Sequence, residues 1–384
     1  MNVVLLRGAV ARYDEKPITP QAAVGVEWNE AKDERTRMSP TIADVARAAR
    51  VSTATVSRVL NGNAEVNPDL ADRVRKAVRE LSYRPSRIAR SLRTQRAAVW
   101  AVIISDIRNP FFTEMVRGVE DVAYANGYSL VLCNAEEDAA KEANYIQLAL
   151  AEHMAGVIVA PASSARTDLT PLLERGVSVV TVDRRLSGNR IVDRVLVDNR
   201  GGAEAAVSHL AESGCRRIAC ITGPPDVSTA EERLAGYKLG LRAHGIRSSA
   251  QLIGQGAFRE EGGKAAMDTL LSLRTPPDAV FVLNNLMTLG ALTAIAERDL
   301  SVPNDIAVVG FDDPSWAGLL RPPLTTVTQP TYDLGAETAR MLLQRIGGYA
   351  GAARELVLSP TLRIRASSVS TQRRAPAQRP ARSA

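Results

Sequence analysis

Between Val51 and Asn61 the chain gathers small polar residues around one arginine: Ser52, Thr53, Ala54, Thr55, Ser57, Arg58 and Asn61. Arg58 carries a planar fork of donors that can give two parallel hydrogen bonds to a guanine edge, worth about 1–3 kcal/mol of discrimination. Hydroxyl and amide groups such as those of Ser52, Thr55 and Asn61 suit phosphate oxygens, which fix register without reading sequence. Thr53 and Ala54 are small enough to let the start of a helix approach base edges. Nucleic-acid recognition is the chemistry these types can perform together. The bland alternative is a basic helix face left to solvent.

The surrounding pattern supplies the elements that would hold such a face. Thr41-Ile42-Ala43-Asp44 has a capping threonine with an acid three places on, and Ile42, Val45, Ala46 and Ala49 follow at helical spacing. Ser52 then caps a second helix whose Val56, Val59 and Leu60 point inward while Ala54, Ser57, Arg58 and Asn61 point outward. Asn67-Pro68 opens a third helix with Leu70, Val74, Val78 and Leu81 on its apolar stripe. Three short helices with a helix-turn-helix inside them place the second helix in a major groove. Charge agrees: the net charge is +6, yet residues 41–96 hold 12 Arg and Lys against 5 acids, and residues 97–371 are net acidic. A compact basic module joined to a mildly acidic one points to a polyanionic partner for the first.

Residues 41–96 resemble the DNA-binding headpiece of the LacI/GalR family of transcriptional repressors. The resemblance rests on Thr41–Ala46, on Val51–Asn61 and on Leu81-Ser82-Tyr83-Arg84-Pro85. It implies that residues 85–96 form a hinge helix that orders on operator DNA, with Leu92 wedged into the minor groove between basic residues, as minor-groove unstacking requires. The DNA-contacting set it implies is Thr41, Ser52, Thr53, Ala54, Thr55, Ser57, Arg58, Asn61, Arg87, Ala89 and Leu92. Arg50 stands where the family commonly has glycine in the turn, so a left-handed backbone there would cost roughly 1 kcal/mol. Ser86 stands where asparagine is frequent.

From Ala98 onward short apolar runs alternate with helical patterns. Strands are expected at Val99–Ile104, Leu130–Leu132, Gly156–Ala160, Val177–Val182, Arg217–Ile221, Ala279–Leu283 and Ile306–Val309, with helices between them. Such alternation predicts an α/β core of doubly wound parallel sheets in two lobes, which bind small ligands at the carboxyl ends of their strands. The resemblance extends through this region to about residue 366, carried by Asn109-Pro110-Phe111-Phe112, Asp183-Arg184, Val197-Asp198-Asn199, Arg233-Leu234-Ala235-Gly236-Tyr237 and Gly310-Phe311-Asp312-Asp313. It implies a core similar to periplasmic sugar-binding proteins. Its ligand positions fall on Asp106, Asp183, Arg233, Asn284 and Asp312, with Phe111 and Phe258 as aromatic walls. Carboxylates and an arginine fork suit adjacent hydroxyls, while an aromatic face covers the apolar side of a sugar ring. Asn285 replaces the aspartate usual in the family's Asn-Asp pair. Arg184 follows Asp183 where some purine-responsive members carry tryptophan, which favours a sugar over a nucleobase; a nucleobase- or sugar-phosphate-responsive regulator with ligand as co-repressor is the alternative.

The resulting domain order is an N-terminal extension (1–40), a helix-turn-helix domain (41–84), a hinge helix and linker (85–96), a two-lobed ligand-binding and dimerisation core (97–371) and a basic tail (372–384). Residues 1–37 match nothing in the family, and a mis-assigned start codon or a disordered extension accounts for them. The tail lacks leucine, so the leucine heptad that tetramerises some members is absent and a homodimer is expected. Cys133, Cys215 and Cys220 lack metal or disulfide spacing and read as buried thiols. Neither a spanning segment nor a signal peptide is evident, which gives a cytoplasmic expectation with no membrane partner. An enzyme is disfavoured because the dinucleotide, nucleophile-elbow and P-loop motifs are missing, and no cofactor is expected. A secreted sugar-binding protein is disfavoured by the basic headpiece.

Overall fold

The computed structural model describes residues 40–60, 67–81, 83, 97–188 and 192–369. These fall into two compact units divided after Pro85. In the first, α1 (Ile42–Ala49), α2 (Thr53–Leu60) and α3 (Pro68–Glu80) enclose a small core of Val45, Ala46, Ala49, Val56, Val74 and Ala77, closed by Tyr83. Local chemistry sets the helix ends. Thr41 and Asp44 form a reciprocal capping box, and Asn67 caps α3 with Pro68 in its first turn. The turn after α1 is left-handed at Arg50, with φ 52° and ψ 51°. That is the conformation in which a side chain costs about 1 kcal/mol relative to glycine. Arg73 on α3 secures it, its guanidinium donating to the carbonyls of Ala49 (2.5 Å) and Arg50 (3.1 Å).

The second unit holds two six-stranded sheets. In chain order its elements are β1 (Ala97–Ile104), α4 (Pro110–Ala125), β2 (Ser129–Asn134), α5 (Ala139–Ala151), β3 (Met154–Val159), α6 (Thr170–Glu174), β4 (Ser178–Val182) and β5 (Asp193–Val197). There follow α7 (Asn199–Glu212), β6 (Ile218–Thr222), α8 (Ser228–Ala243), β7 (Ile253–Gln255), α9 (Glu260–Leu271), β8 (Ala279–Val282), α10 (Asn285–Ala296), β9 (Ala307–Phe311) and β10 (Thr325–Thr328). Last come α11 (Thr331–Ile346), β11 (Glu355–Leu358) and β12 (Thr361–Arg363). The first lobe's sheet runs β11-β5-β4-β3-β1-β2 and the second's β12-β10-β9-β8-β6-β7. Strands β3, β6, β8 and β9 are buried along their whole length, as expected where helices cover both faces of a parallel sheet.

The sheets are parallel as expected except at one edge, where β12 pairs antiparallel with β10. Because β11 and β12 are consecutive yet belong to different sheets, the chain crosses between lobes there, as it does between β5 and α7 and between β10 and α11. Sequence periodicity left β5, β7, β10, β11 and β12 unassigned, and α11 as well. These strands are three to five residues long, and β11 alternates exposed and half-buried positions, so none makes a continuous apolar run. Helix α11 buries Leu334 and Leu342 on a face otherwise made of small residues, Gly335, Ala336, Thr338 and Ala339. It lies so close to α4 that a Cβ at Gly335 would collide with the carbonyl of Met115, and one at Gly118 with that of Tyr332. Among the described residues no helix is long and apolar enough to cross a membrane. The three cysteines are buried.

Asp193, at the start of β5, is fully buried and accepts from Arg345 of α11 (2.7 Å) and from Arg354 beside β11 (2.6 Å). Burial alone would raise its pKa, but the two guanidinium groups and the Arg354 backbone N–H hold the carboxyl down at about 2. Two outcomes follow from these contacts. Arg50→Gly should raise unfolding free energy by about 0.5–1 kcal/mol in urea titrations of the headpiece transition, while Arg50→Val should lower it. For Asp193 the folded pKa lies below the ordinary 3.8, so its stabilisation is complete above that value and lost as pH falls through about 2. Wild type should therefore lose about 2 kcal/mol between pH 5 and pH 2 that Asp193→Asn does not lose. Equal acid dependence in the two proteins would remove this role from Asp193.

Candidate functional site

In the headpiece, Thr41, Ser52, Thr53, Ala54 and Arg58 are exposed, whereas Thr55 and Ser57 are half-buried. Several polar groups already have partners. Ser52 Oγ accepts from the Thr55 backbone N–H (3.1 Å) and bonds the Thr55 hydroxyl (2.9 Å), so these two phosphate candidates also fix the start of α2. Thr41 donates both its N–H and its hydroxyl to Asp44 (2.9 and 2.7 Å), and these bonds hold the Asp44 carboxyl below its ordinary range. Thr53, Ala54 and Arg58 share the exposed start and flank of α2. Asn61, Arg87, Ala89 and Leu92, with the hinge segment, lie outside the described residues.

In the second unit the parallel strands bring polar residues to one end, the carboxyl edge of each sheet, where the lobes face each other. Asp106 follows β1, Asp183 and Arg184 follow β4, Asn284 follows β8, Asp312 follows β9 and Gln329 follows β10. All seven expected ligand residues line one cleft: Asp106, Phe111, Asp183, Arg233, Phe258, Asn284 and Asp312. Four residues of its wall adopt positive φ, Glu137 (62°), Asp183 (67°), Phe258 (58°) and Asp312 (76°). Strain of this kind persists only where the surroundings over-determine it, and it clusters at binding sites. Phe258 lies against Gly223 so tightly that any Cβ there would strike its ring.

The electrostatics are those of an acidic cleft with buried charges. Burial raises Asp183 to about 6 despite Arg184 and Arg233, with Asp312 adding repulsion. Asp312 is also raised by burial, partly offset by Arg233 and a hydrogen bond from Gln329 (2.5 Å). Arg233 is 4% exposed. It donates to Asn199 Oδ1 (2.7 Å) and the Leu283 carbonyl (2.7 Å), with its guanidinium 3.7 Å from the centre of the Phe311 ring. No ion pair joins Arg233 to Asp312 among the described residues, so the Arg233 fork is held by Asn199 and Leu283 instead. Asp106 gives both oxygens to Arg108 (2.8–3.3 Å) and is the least available of the set. Asn284 spends its oxygen capping α10.

Sequence reasoning singled out Arg184 beside Asp183 but missed its partner Glu137 and the wall residue Gln329. Arg184, 3% exposed, makes a two-pronged ion pair with Glu137 (2.6 and 2.7 Å) and sits between the rings of Phe112 and Phe258. Gln329 and Asn109 also line or border the cavity. Asn109 and Phe112 were visible inside the Asn-Pro-Phe-Phe motif, but the Glu137–Arg184 pair spans 47 positions and has no local signal. The departure at Asn285 has a structural reason. Its Nδ2 donates across the lobes to Asn109 Oδ1 (2.9 Å), a bond an aspartate could not donate.

Known proteins match both units. Residues 41–86 match the model for bacterial regulatory proteins of the lacI family, and residues 207–368 match the periplasmic binding protein-like domain. The chain is 37% identical over 306 residues to the ribose operon repressor of Halalkalibacterium halodurans, covering 80% of this chain and 90% of that protein. It is 35% identical over 317 residues to the transcriptional repressor CytR of Escherichia coli, covering 83% and 93%. Among solved structures it is similar to the lac repressor dimer bound to operator and the anti-inducer ONPF (TM-score 0.75, 28% identity, 86% of this chain and 99% of that one). It is also similar to the regulator CelR in complex with cellobiose (TM-score 0.67, 35% identity, 85% and 99%). With a capped helix-turn-helix, a two-lobed core and relatives matched over most of their length, the chain belongs to the LacI family and is a DNA-binding transcriptional regulator with a ligand-binding core.

Proposed function

We propose that this regulator represses carbohydrate-utilisation genes as a homodimer on a pseudopalindromic operator, and that a neutral monosaccharide in the cleft controls its grip. The observation that carries the effector class is the surplus of acceptors in the chamber. Asp183 Oδ1 and Gln329 Oε1 are buried without a hydrogen-bond donor, and Arg184 Nε, also buried, has the Asp183 carboxylate 3.5 Å away as its ion-pair partner. Buried polar atoms are seldom left unpaired, so the ligand must bring donors, as vicinal hydroxyls do. Charge argues against the sugar-phosphate alternative. Asp106, Glu137, Asp183 and Asp312 outnumber Arg184 and Arg233, and both arginines already have protein partners. A phosphate dianion would meet more repulsion than attraction there.

The ribose operon repressors among the relatives make D-ribose the first sugar to test. Asp183, Arg233, Asp312 and Gln329 would bind hydroxyls, and Phe111 and Phe258 would cover the ring. In the headpiece Arg58, Thr53 and Ala54 would read bases, Thr41, Ser52, Thr55, Ser57 and Asn61 would assist at the backbone, and Arg87, Ala89 and Leu92 would engage the minor groove. Nothing in this scheme asks for catalysis: the chain is a binding protein, not an enzyme, and works in the cytoplasm beside the chromosome. Sugar and operator need be coupled by only about 1–3 kcal/mol.

Fluorescence anisotropy on an operator selected from genomic fragments, at about 0.1–0.15 M salt, tests the two sites separately. Arg233→Ala should leave operator affinity within about twofold but abolish release by ribose; retained release would take Arg233 out of the effector site. Leu92→Ala should weaken operator binding about tenfold or more while calorimetric ribose affinity is unchanged; undiminished operator binding would remove the wedge.

A further inference from the structure

Apart from the three crossovers, the lobes touch along a polar flank. The backbone N–H of Arg185, just after β4, donates to Ser228 Oγ on α8 (2.8 Å). The Ser228 N–H donates back to Ser164 Oγ (3.1 Å), and the Ser164 N–H to the Asp226 carbonyl (2.9 Å). From this flank an unbroken chain of polar contacts runs into the cleft. Arg194 and Arg185 both donate to Glu355 Oε2 on the first lobe's sheet (2.5 and 2.7 Å). Arg185 Nε reaches across to Glu232 Oε1 on α8 (2.8 Å). Glu232 Oε2 accepts from Asn199 Nδ2 (3.1 Å), and Asn199 Oδ1 accepts from Arg233 Nε (2.7 Å). Asn199 is 1% exposed and is the first residue after a crossover.

Each link admits one arrangement. Asn199 presents its oxygen to the guanidinium and its nitrogen to Glu232 and to the Val197 carbonyl (3.2 Å), so removing the Glu232 carboxylate loosens the amide that accepts from Arg233 Nε. Arg185 fixes the carboxylate that holds that amide, by donating to its other oxygen. Arg185 in turn belongs to the opposite lobe and is anchored there by Glu355. Ion pairs as exposed as Arg185–Glu232, with side chains 35% and 29% accessible, contribute little to global stability. They can still bias a hinge, because the Arg185 Nε–Glu232 Oε1 bond is the link of this series that joins the two lobes, and parting the lobes there would break it.

Resting on the reading that Arg233 holds the effector, we infer that Arg185 and Glu232 are positioning residues: their pairing across the lobes sets the Arg233 guanidinium and makes effector affinity depend on lobe closure. Arg185→Lys keeps the charge but cannot fork between Glu232 and Glu355, so it should fall between wild type and Arg185→Met.

The test uses the full-length protein with D-ribose as probe and amide hydrogen exchange without any ligand. Arg185→Met and Glu232→Gln should each raise the ribose Kd about tenfold, with Arg185→Lys intermediate, while operator affinity without ribose stays within about twofold. Without ligand, both variants should exchange faster at residues 183–187 and 226–232, with the strands of both sheets unchanged. Ribose affinity and exchange both at wild-type values would overturn the inference, as would faster exchange spread evenly through both lobes, which reports global destabilisation instead. If wild-type protein fails to bind ribose, the effector reading falls, and the exchange pattern alone decides whether Arg185 and Glu232 latch the lobes.

Discussion

Arg233 carries a full positive charge at 4% exposure, and an isolated cation so placed would cost several kcal/mol. Everything around the cleft is arranged to meet that cost. The crossover after β5 delivers Asn199 to one edge of the guanidinium, the end of β8 delivers the Leu283 carbonyl to another, and the Phe311 ring lies against its face. Asp183 and Asp312, raised by their own burial, share its field from opposite lobes. These groups come from distant parts of the sequence and converge because parallel strands all end on one side. Two sheets joined by three crossovers can bring such ends face to face, which no single sheet could do.

The headpiece solves a different problem, that of holding three short helices with a core of fewer than ten residues. Helices of eight residues are marginal alone, so their ends must be fixed chemically. The capping box at Thr41 and Asp44, the Ser52 and Asn67 caps and the arginine clamp of Arg73 over the turn do this. The clamp explains how an arginine survives at position 50: the carbonyls that a left-handed turn leaves without helical partners are taken by another guanidinium. The same caps leave the outer face of α2 unneeded for stability, and so available for recognition.

What the sequence made legible follows from the range of each interaction. Caps and helical stripes act over three or four residues, and the headpiece is accordingly readable from Thr41 to Glu80. Buried parallel strands announce themselves as apolar runs. The edge strands β7, β11 and β12 do not, because one flank of an edge strand is satisfied by solvent or a single neighbour and its composition is free to vary. The seven expected ligand residues meet in one cavity because family motifs carried them position by position. Arg184 was visible beside Asp183, but its partner Glu137 escaped because a carboxylate and a guanidinium far apart in sequence look like ordinary surface charges until the fold buries them together.

The unsatisfied acceptors show how such a cleft can act as a switch. Asp183 Oδ1 and Gln329 Oε1 are buried with no protein donor, and a buried acceptor left unpaired costs about 1–3 kcal/mol. Closure by protein contacts is therefore partly opposed by the chamber's own wall. On the proposed reading, a ligand donating to these oxygens would remove the opposition while leaving interlobe bonds such as Asn285 to Asn109 in place. Its differential affinity for the closed form is then set by the atoms the protein leaves unpaired, and that difference is the whole of what a ligand can use to shift an equilibrium. A better-satisfied cleft would close more firmly by itself and respond less to its ligand.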